Sequence, residues 1–209
     1  GWYSYYGESI NRPDAAWRLE NDILFGRRIA TPDLGVESLL QYHRPMLEDG
    51  VIEYEFYYQP GSVAHPALDR LVLLLEKDGV KLHWLTDGVF GRTAADPVGA
   101  AIEPACRRGP KQLPLIDDQW NKLAVAVTSN TLRLTLNGQL IYERPVEVTK
   151  QRYFGLFHYS DQSEVQVRNV VWRGNWPRSL PPIVEQELAD LLANRLVTLS
   201  LELPNVCED

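Results

Sequence analysis

The chain has 209 residues, 44% of them hydrophobic and 10% aromatic, with a formal net charge of -7. That length and composition suit one good-sized core, or at most two small ones, and exclude a disordered chain. The acidic balance excludes a general nucleic-acid or anionic-membrane surface, which needs a basic patch; the nearest cationic group is Arg107, Arg108 and Lys111, with Glu103 close by.

The pattern is nearly all β until the tail. The opening "GWYSYYGES" has neither an initiator Met nor a signal peptide, which points to an excised fragment or a processed chain. Residues 17–21 and 23–29 read as an opening strand pair, and 39–43 as a third short strand. In "EDGVIEYEFYYQPG", Ile52, Tyr54, Phe56 and Tyr58 fall on one side of an extended chain, and Glu53, Glu55 and Tyr57 on the other. Residues 70–76 and 80–85 flank "KDG". A two-residue loop at Asp78-Gly79 would set Leu75 opposite Leu82 and Leu73 opposite Trp84, all four facing the core, with Glu76, Lys81 and His83 on the other face. From Thr86 to Leu113 the chain is rich in Gly, Pro, Asp and Arg and reads as a long loop.

Alternation returns in "QWNKLAVAVTSNTLRLTLNGQLIYERP", where Asn137-Gly138 is a strong signal for a type I′ hairpin, whose two central residues need positive φ. "RYFGLFHYSDQSEVQVRNVVWRG" supplies two more strands around a turn at "SDQS". Short antiparallel strands with turn signals at even spacing indicate a sandwich or jelly roll. In the tail, Val184, Leu188, Leu191, Leu192 and Leu196 form one stripe at helical spacing, with Pro182 fit for the first turn, and "VTLSLEL" alternates as a strand would. Cys106 and Cys207 lie far apart and match no zinc spacing; they are either paired in an oxidising compartment or both free. No apolar run approaches the length of a bilayer span.

The block "WNKLAVAV…LRLTLNG…IYERP…FGLFHYSDQSEVQVRNVVWRG", Trp120 to Gly174, resembles concanavalin A-like lectin/glucanase domains, and most of all their laminin-G-like and 3-keto-disaccharide-hydrolase-like branches. With "DGVIEYEFYYQPG", "GVKLHWLTDG", "RRGP" and "RGNWPRSLPP" added, the chain is similar to an uncharacterised bacterial family, domain of unknown function fifteen eighty-three, which occurs within larger exported proteins. The resemblance implies an all-β fold, a jelly-roll sandwich of two antiparallel sheets over residues 1–182, followed by a short C-terminal helix and strand in 183–209. It implies a concave sheet whose groove or rim holds ligands, and an extracytoplasmic location. Catalytic relatives that cut β-glucans carry Glu-x-Asp-x-x-Glu on a concave strand. Here "IEYEF" supplies Glu53 and Glu55, and Tyr58 stands at the third acidic position.

Same-face neighbours two apart on a strand can hold two carboxyls at glycosidase spacing, so Glu53 and Glu55 are the candidate acid and base; the alternative is the solvated face of a half-buried sheet. His43, His83 and His158 each lie on an expected strand and could add proton-transfer or hydrogen-bonding groups. A groove mixing Tyr57, Arg70, His83, Glu53 and Glu55 would suit a sugar, whose C–H faces stack on aromatic rings and whose hydroxyls want planar polar partners. His158 is a further candidate ligand contact. Arg107 and Arg108 of "RRGP" could hold a carboxylate or sulfate, or pair with Glu103 in a surface loop. No cofactor is indicated beyond a possible structural calcium, for which Asp87 and Asp161, with Glu164, offer oxygens.

Three readings follow. The first is a non-catalytic carbohydrate- or surface-binding module of a larger exported bacterial protein, with polysaccharide and neighbouring domains as partners. The second is a glycosidase-type enzyme using Glu53 and Glu55. The third is a structural module that packs on neighbouring domains through its helical tail.

Overall fold

Alternation becomes pleat wherever the sequence shows it. The structure is a computed structural model that describes residues 1–5, 16–28, 37–46, 49–85, 101–146 and 152–174, together with Pro182, Gln186 and Ala189. The chain divides into Gly1–Asn175 and Trp176–Asp209. In the second unit Pro182, Gln186 and Ala189 are helical and exposed, in the segment where the tail pattern predicts a helix. The apolar stripe of that helix, Asp87 and Cys207 lie outside the described residues.

The first unit is two antiparallel sheets. One has the order β1 (Trp2–Ser4), β4 (Glu37–Pro45), β13 (Tyr153–Tyr159), β6 (His65–Leu68), β7 (Leu71–Glu76), β8 (Gly79–Trp84) and β9 (Ala101–Ile102). The other has the order β12 (Gln139–Pro145), β11 (Thr131–Leu136), β10 (Gln119–Thr128), β5 (Gly50–Tyr58), β14 (Val165–Gly174), β3 (Ile23–Gly26) and β2 (Trp17–Glu20). Ile52, Tyr54 and Phe56 of β5, Leu123, Val125 and Val127 of β10, and Leu71, Leu73 and Leu75 of β7 meet in the core between them. The Tyr54 hydroxyl is buried there and donates to the Ala64 carbonyl at 2.8 Å.

Tight turns set the registers. Leu136 pairs with Gln139 across Asn137 (φ 48°) and Gly138 (φ 81°), the type I′ loop that the sequence predicts. Ser129-Asn130 and Asn21-Asp22 close two more hairpins with both φ positive. The β7–β8 hairpin differs from expectation. Glu76 pairs with Gly79, so Lys77-Asp78 form the loop; Leu73 faces Leu82, and Leu75 faces Val80. A shift of two residues leaves every side chain on its expected face. Trp84, at the strand's end, is exposed rather than in the core. The expected long loop also contains structure: β9, and a 3-10 turn at Pro104–Cys106.

The two outer faces differ in shape. Glu37 on β4 and His83 on β8 are four places apart in the strand order, about 19 Å across a flat sheet. Yet their side chains meet at 2.7 Å on the face turned away from the core. The sheet therefore curls, and that face is its concave side. Stacked sheets stay about 10 Å apart and bend together, so the outer face of the β5 sheet is the convex back. Glu53 and Glu55 do point out of the core, as alternation requires. They do so on the convex side, not in the expected trough, because alternation identifies which residues leave the core but not which sheet curls inward.

The middle of the concave face is apolar and filled. Leu39, Ala67, Val72, Leu74, Leu85 and Phe157 are buried in a second cluster, with Tyr5 and Tyr159 packed against it. Crowding there fixes Gly155, where a Cβ would lie 2.7 Å from Leu39 Cδ1 and 3.2 Å from the Leu40 carbonyl oxygen.

Candidate functional site

The convex face carries the two glutamates of β5, and each is held by cations. Glu53 accepts from Lys122 Nζ at 2.9 Å and from Arg173 Nη1; Glu55 accepts from Arg168 Nε at 2.7 Å. The Arg168 guanidinium also lies 4.0 Å over the Trp120 ring, and Trp120 meets Tyr57 edge-on at 5.6 Å. The hydrogen bond from Arg168, helped by Asn169, holds the Glu55 carboxyl below its ordinary range against the opposing effect of burial.

A β-bulge builds this lattice. In β14, Val165 and Val167 face the core and Arg168 faces out opposite Glu55. Arg168 and Arg173 are five apart, so a regular strand would send them to opposite faces. The register slips between Arg168 and Val171, where Asn169 adopts φ 53°. Past the slip, Val170 and Trp172 pack against the core, while Val171 pairs with Glu53 and Arg173 reaches Glu53 from the outer face. One extra residue thus gives each glutamate its own arginine. The sequence carries a trace of this: apolar residues at 165 and 167, then at 170 and 172, with Asn at the break.

A second polar group occupies one end of the concave face. His83 is 1% exposed in its side chain and its Nε2 lies 2.7 Å from Glu37 Oε1. A carboxylate can only accept, so Nε2 carries a proton. The buried Nδ1 has no hydrogen-bond partner among the described residues. Tyr159 pairs with Glu37 in the ladder, and its ring centroid lies 6.0 Å from that of His83. Burial, then the charges of Glu37, Glu76 and Asp161, push the Tyr159 phenol up to about 12, so it is a proton-bearing donor. Glu76 pairs with Lys81, Arg28 Nε reaches the Asp161 carbonyl at 3.1 Å, and the buried Oδ1 of Asp161 has no partner among the described residues.

The expected mixed groove does not form. Glu53, Glu55 and Tyr57 lie on one outer face, and His83 on the other. Arg70 sends Nε and Nη2 to the Leu85 carbonyl at 2.8 and 2.6 Å. His158 points into the sandwich, with its ring edge-on to Trp17 at 5.1 Å and its Nδ1 3.2 Å from the Ser163 carbonyl. His43 lies beside the Gly1 carbonyl. Arg107 donates to the Lys111 carbonyl, and Arg108 donates to the Ala105 carbonyl at 2.7 Å and to Glu143. Glu103 instead accepts from Tyr142 and lies 3.5 Å from Arg144. Cys106 is a free thiol, pushed up in pKa by burial and then by Glu103. Among the described residues no three or more His, Cys, Asp or Glu side chains converge on a metal site.

Comparison with known proteins follows the same lines. The family model described as "Domain of unknown function (DUF1583_N)" matches residues 32–179. No curated protein sequence matches the chain. The carbohydrate-binding module CBM66 from Bacillus subtilis superposes with a TM-score of 0.52 at 14% identity, covering 83% of this chain and 96% of that one. A Parabacteroides distasonis protein provisionally named a glycosyl hydrolase superposes with a TM-score of 0.50 at 12% identity, covering 84% and 89%. At these identities the likeness is one of fold: a jelly-roll β-sandwich of concanavalin A-like type.

Proposed function

Since this chain belongs to the DUF1583_N family, we propose that its β-sandwich is a non-catalytic carbohydrate-binding module of a larger exported bacterial protein. The observation that carries this reading is the ion pairing of Glu53 and Glu55. A glycosidase needs one carboxyl kept protonated as general acid, raised in pKa by an apolar or like-charged setting. Glu55 has the opposite environment, with its carboxyl lowered by Arg168. Glu53 is shared between Lys122 and Arg173. Neither is placed to give a proton to a leaving group. The fold likeness to a protein named a carbohydrate-binding module supports the same reading.

The test is affinity electrophoresis of the full chain in gels cast with plant, algal and bacterial polysaccharides, paired with a reducing-end assay. Retardation by a glycan without release of new reducing ends is the expected result. Reducing-end release that disappears in Glu53→Gln or Glu55→Gln would replace this reading with a glycosidase.

A further inference from the structure

The polar end of the concave face is rich in carboxylates. Glu37, Glu76 and Asp161 all lie near enough to Tyr159 to raise its phenol. Two buried polar atoms there have no partner among the described residues: His83 Nδ1, on a side chain 1% exposed, and Asp161 Oδ1. The described cations at this end are Lys81, taken by Glu76 and within 3.8 Å of Asp78, and Arg28, at the Asp161 main chain. The half-buried Tyr159 hydroxyl donates to no described residue.

We propose that this end of the concave face, around Tyr159, Glu37, His83, Glu76 and Asp161, binds an uncharged glycan and rejects polyuronates and sulfated glycans. The inference rests on the carbohydrate-binding reading and assigns its site and ligand class. A sugar hydroxyl both donates and accepts. It can give a proton to a carboxylate oxygen, pair with an imidazole nitrogen in either form, and take a proton from a phenol. A uronate or sulfate group only accepts. It would leave the Asp161 oxygen unpaired and bring a further negative charge against three carboxylates, the kind of mismatch that discriminates between ligands. Tyr159 is half-buried, and the part of its ring left uncovered can meet the C–H side of the sugar.

The full chain would be run in separate gels containing barley β-glucan, galactomannan, alginate or polygalacturonate. Retardation by a neutral glycan and none by alginate or polygalacturonate is expected. Tyr159→Phe, which keeps the ring, should weaken neutral-glycan binding about tenfold through one lost hydrogen bond. Glu76→Gln with Asp161→Asn should weaken it further and admit alginate, with near-ultraviolet circular dichroism confirming that each variant folds. Tighter binding to alginate than to neutral glycans, or neutral-glycan binding unchanged in all these variants, would overturn the inference and leave the carbohydrate-binding reading standing. Failure of all four glycans together with the wider panel would overturn both.

Discussion

Acidification from pH 7 to pH 5 should cost this sandwich much of its stability through two histidines that touch no proposed ligand. His65 is buried, and burial, then the nearby His158 and His83, push it down to about 3. Its Nδ1 accepts from the Leu75 N–H at 3.0 Å, so a proton there would also break that bond. His158 is pushed down to about 4, chiefly by burial, against a smaller opposing effect of its bond to Ser163. Both are therefore neutral in the fold, whereas in the unfolded chain they titrate near 6.5. Their contribution is fully present above about pH 6.5 and is lost as pH falls toward the folded values. Between pH 7 and pH 5 the unfolded state gains protons that the fold refuses, at about 2 kcal/mol per histidine and roughly 4 kcal/mol for both. That is large beside a typical domain stability of about 5–15 kcal/mol. The ion-paired Glu55 and Glu143, both lowered by arginines, lose their contributions only below about pH 5, which separates the two effects. Urea unfolding followed by tryptophan fluorescence at pH 7, 6 and 5 measures the slope. The double variant His65→Asn, His158→Asn keeps a polar atom near each backbone partner and should lose most of that slope. Equal stability at pH 7 and pH 5, or an undiminished slope in the double variant, would refute the reasoning.

Other perturbations test the packing. The exchange Trp172→Arg with Arg173→Trp, which would suit an unbulged strand but not this one, puts a cation on the core side and the indole outside, and should cost on the order of 3–5 kcal/mol in chemical denaturation, the scale of losing a large aromatic from a core. Asn169→Gly should be nearly neutral, whereas Asn169→Val should cost about 1–2 kcal/mol, because a branched side chain disfavours φ 53°. Gly155→Ala should lower the thermal midpoint by an overpacking cost of about 1–3 kcal/mol, since the new methyl meets Leu39 and the Leu40 backbone. Tyr54→Phe, which leaves the buried Ala64 carbonyl unpaired, should cost about 1–3 kcal/mol with the fold's circular dichroism unchanged.

The fold was legible wherever one face of a strand is wet. Val51–Tyr58 and the β10–β11 segment alternate because one side meets the core and the other solvent, and Asn137-Gly138 announces its turn by backbone chemistry alone. Strand β6 was not legible, because all of His65–Leu68 is buried and Pro66 interrupts the expected strand chemistry. The two residues of β9 are too few to show a period. The candidate sites were legible only in part. Sequence placed Glu53 and Glu55 on one face but not their partners, since the pairing with Arg168 and Arg173 depends on a phase slip on another strand. The meeting of Glu37 with His83, separated by 46 residues, depends on the curl of a whole sheet, which no local pattern encodes.

The slip at Asn169 also sets a rule for kindred chains. It works like a single dropped stitch: everything knitted after it changes sides. A homologue without the added position keeps both arginine clasps by plain alternation, whereas one of equal length without the slip must exchange its charged and greasy residues downstream. Residue-by-residue matching across that point therefore needs a gap, and a basic residue found one position earlier in a shorter chain would be the true counterpart of Arg173.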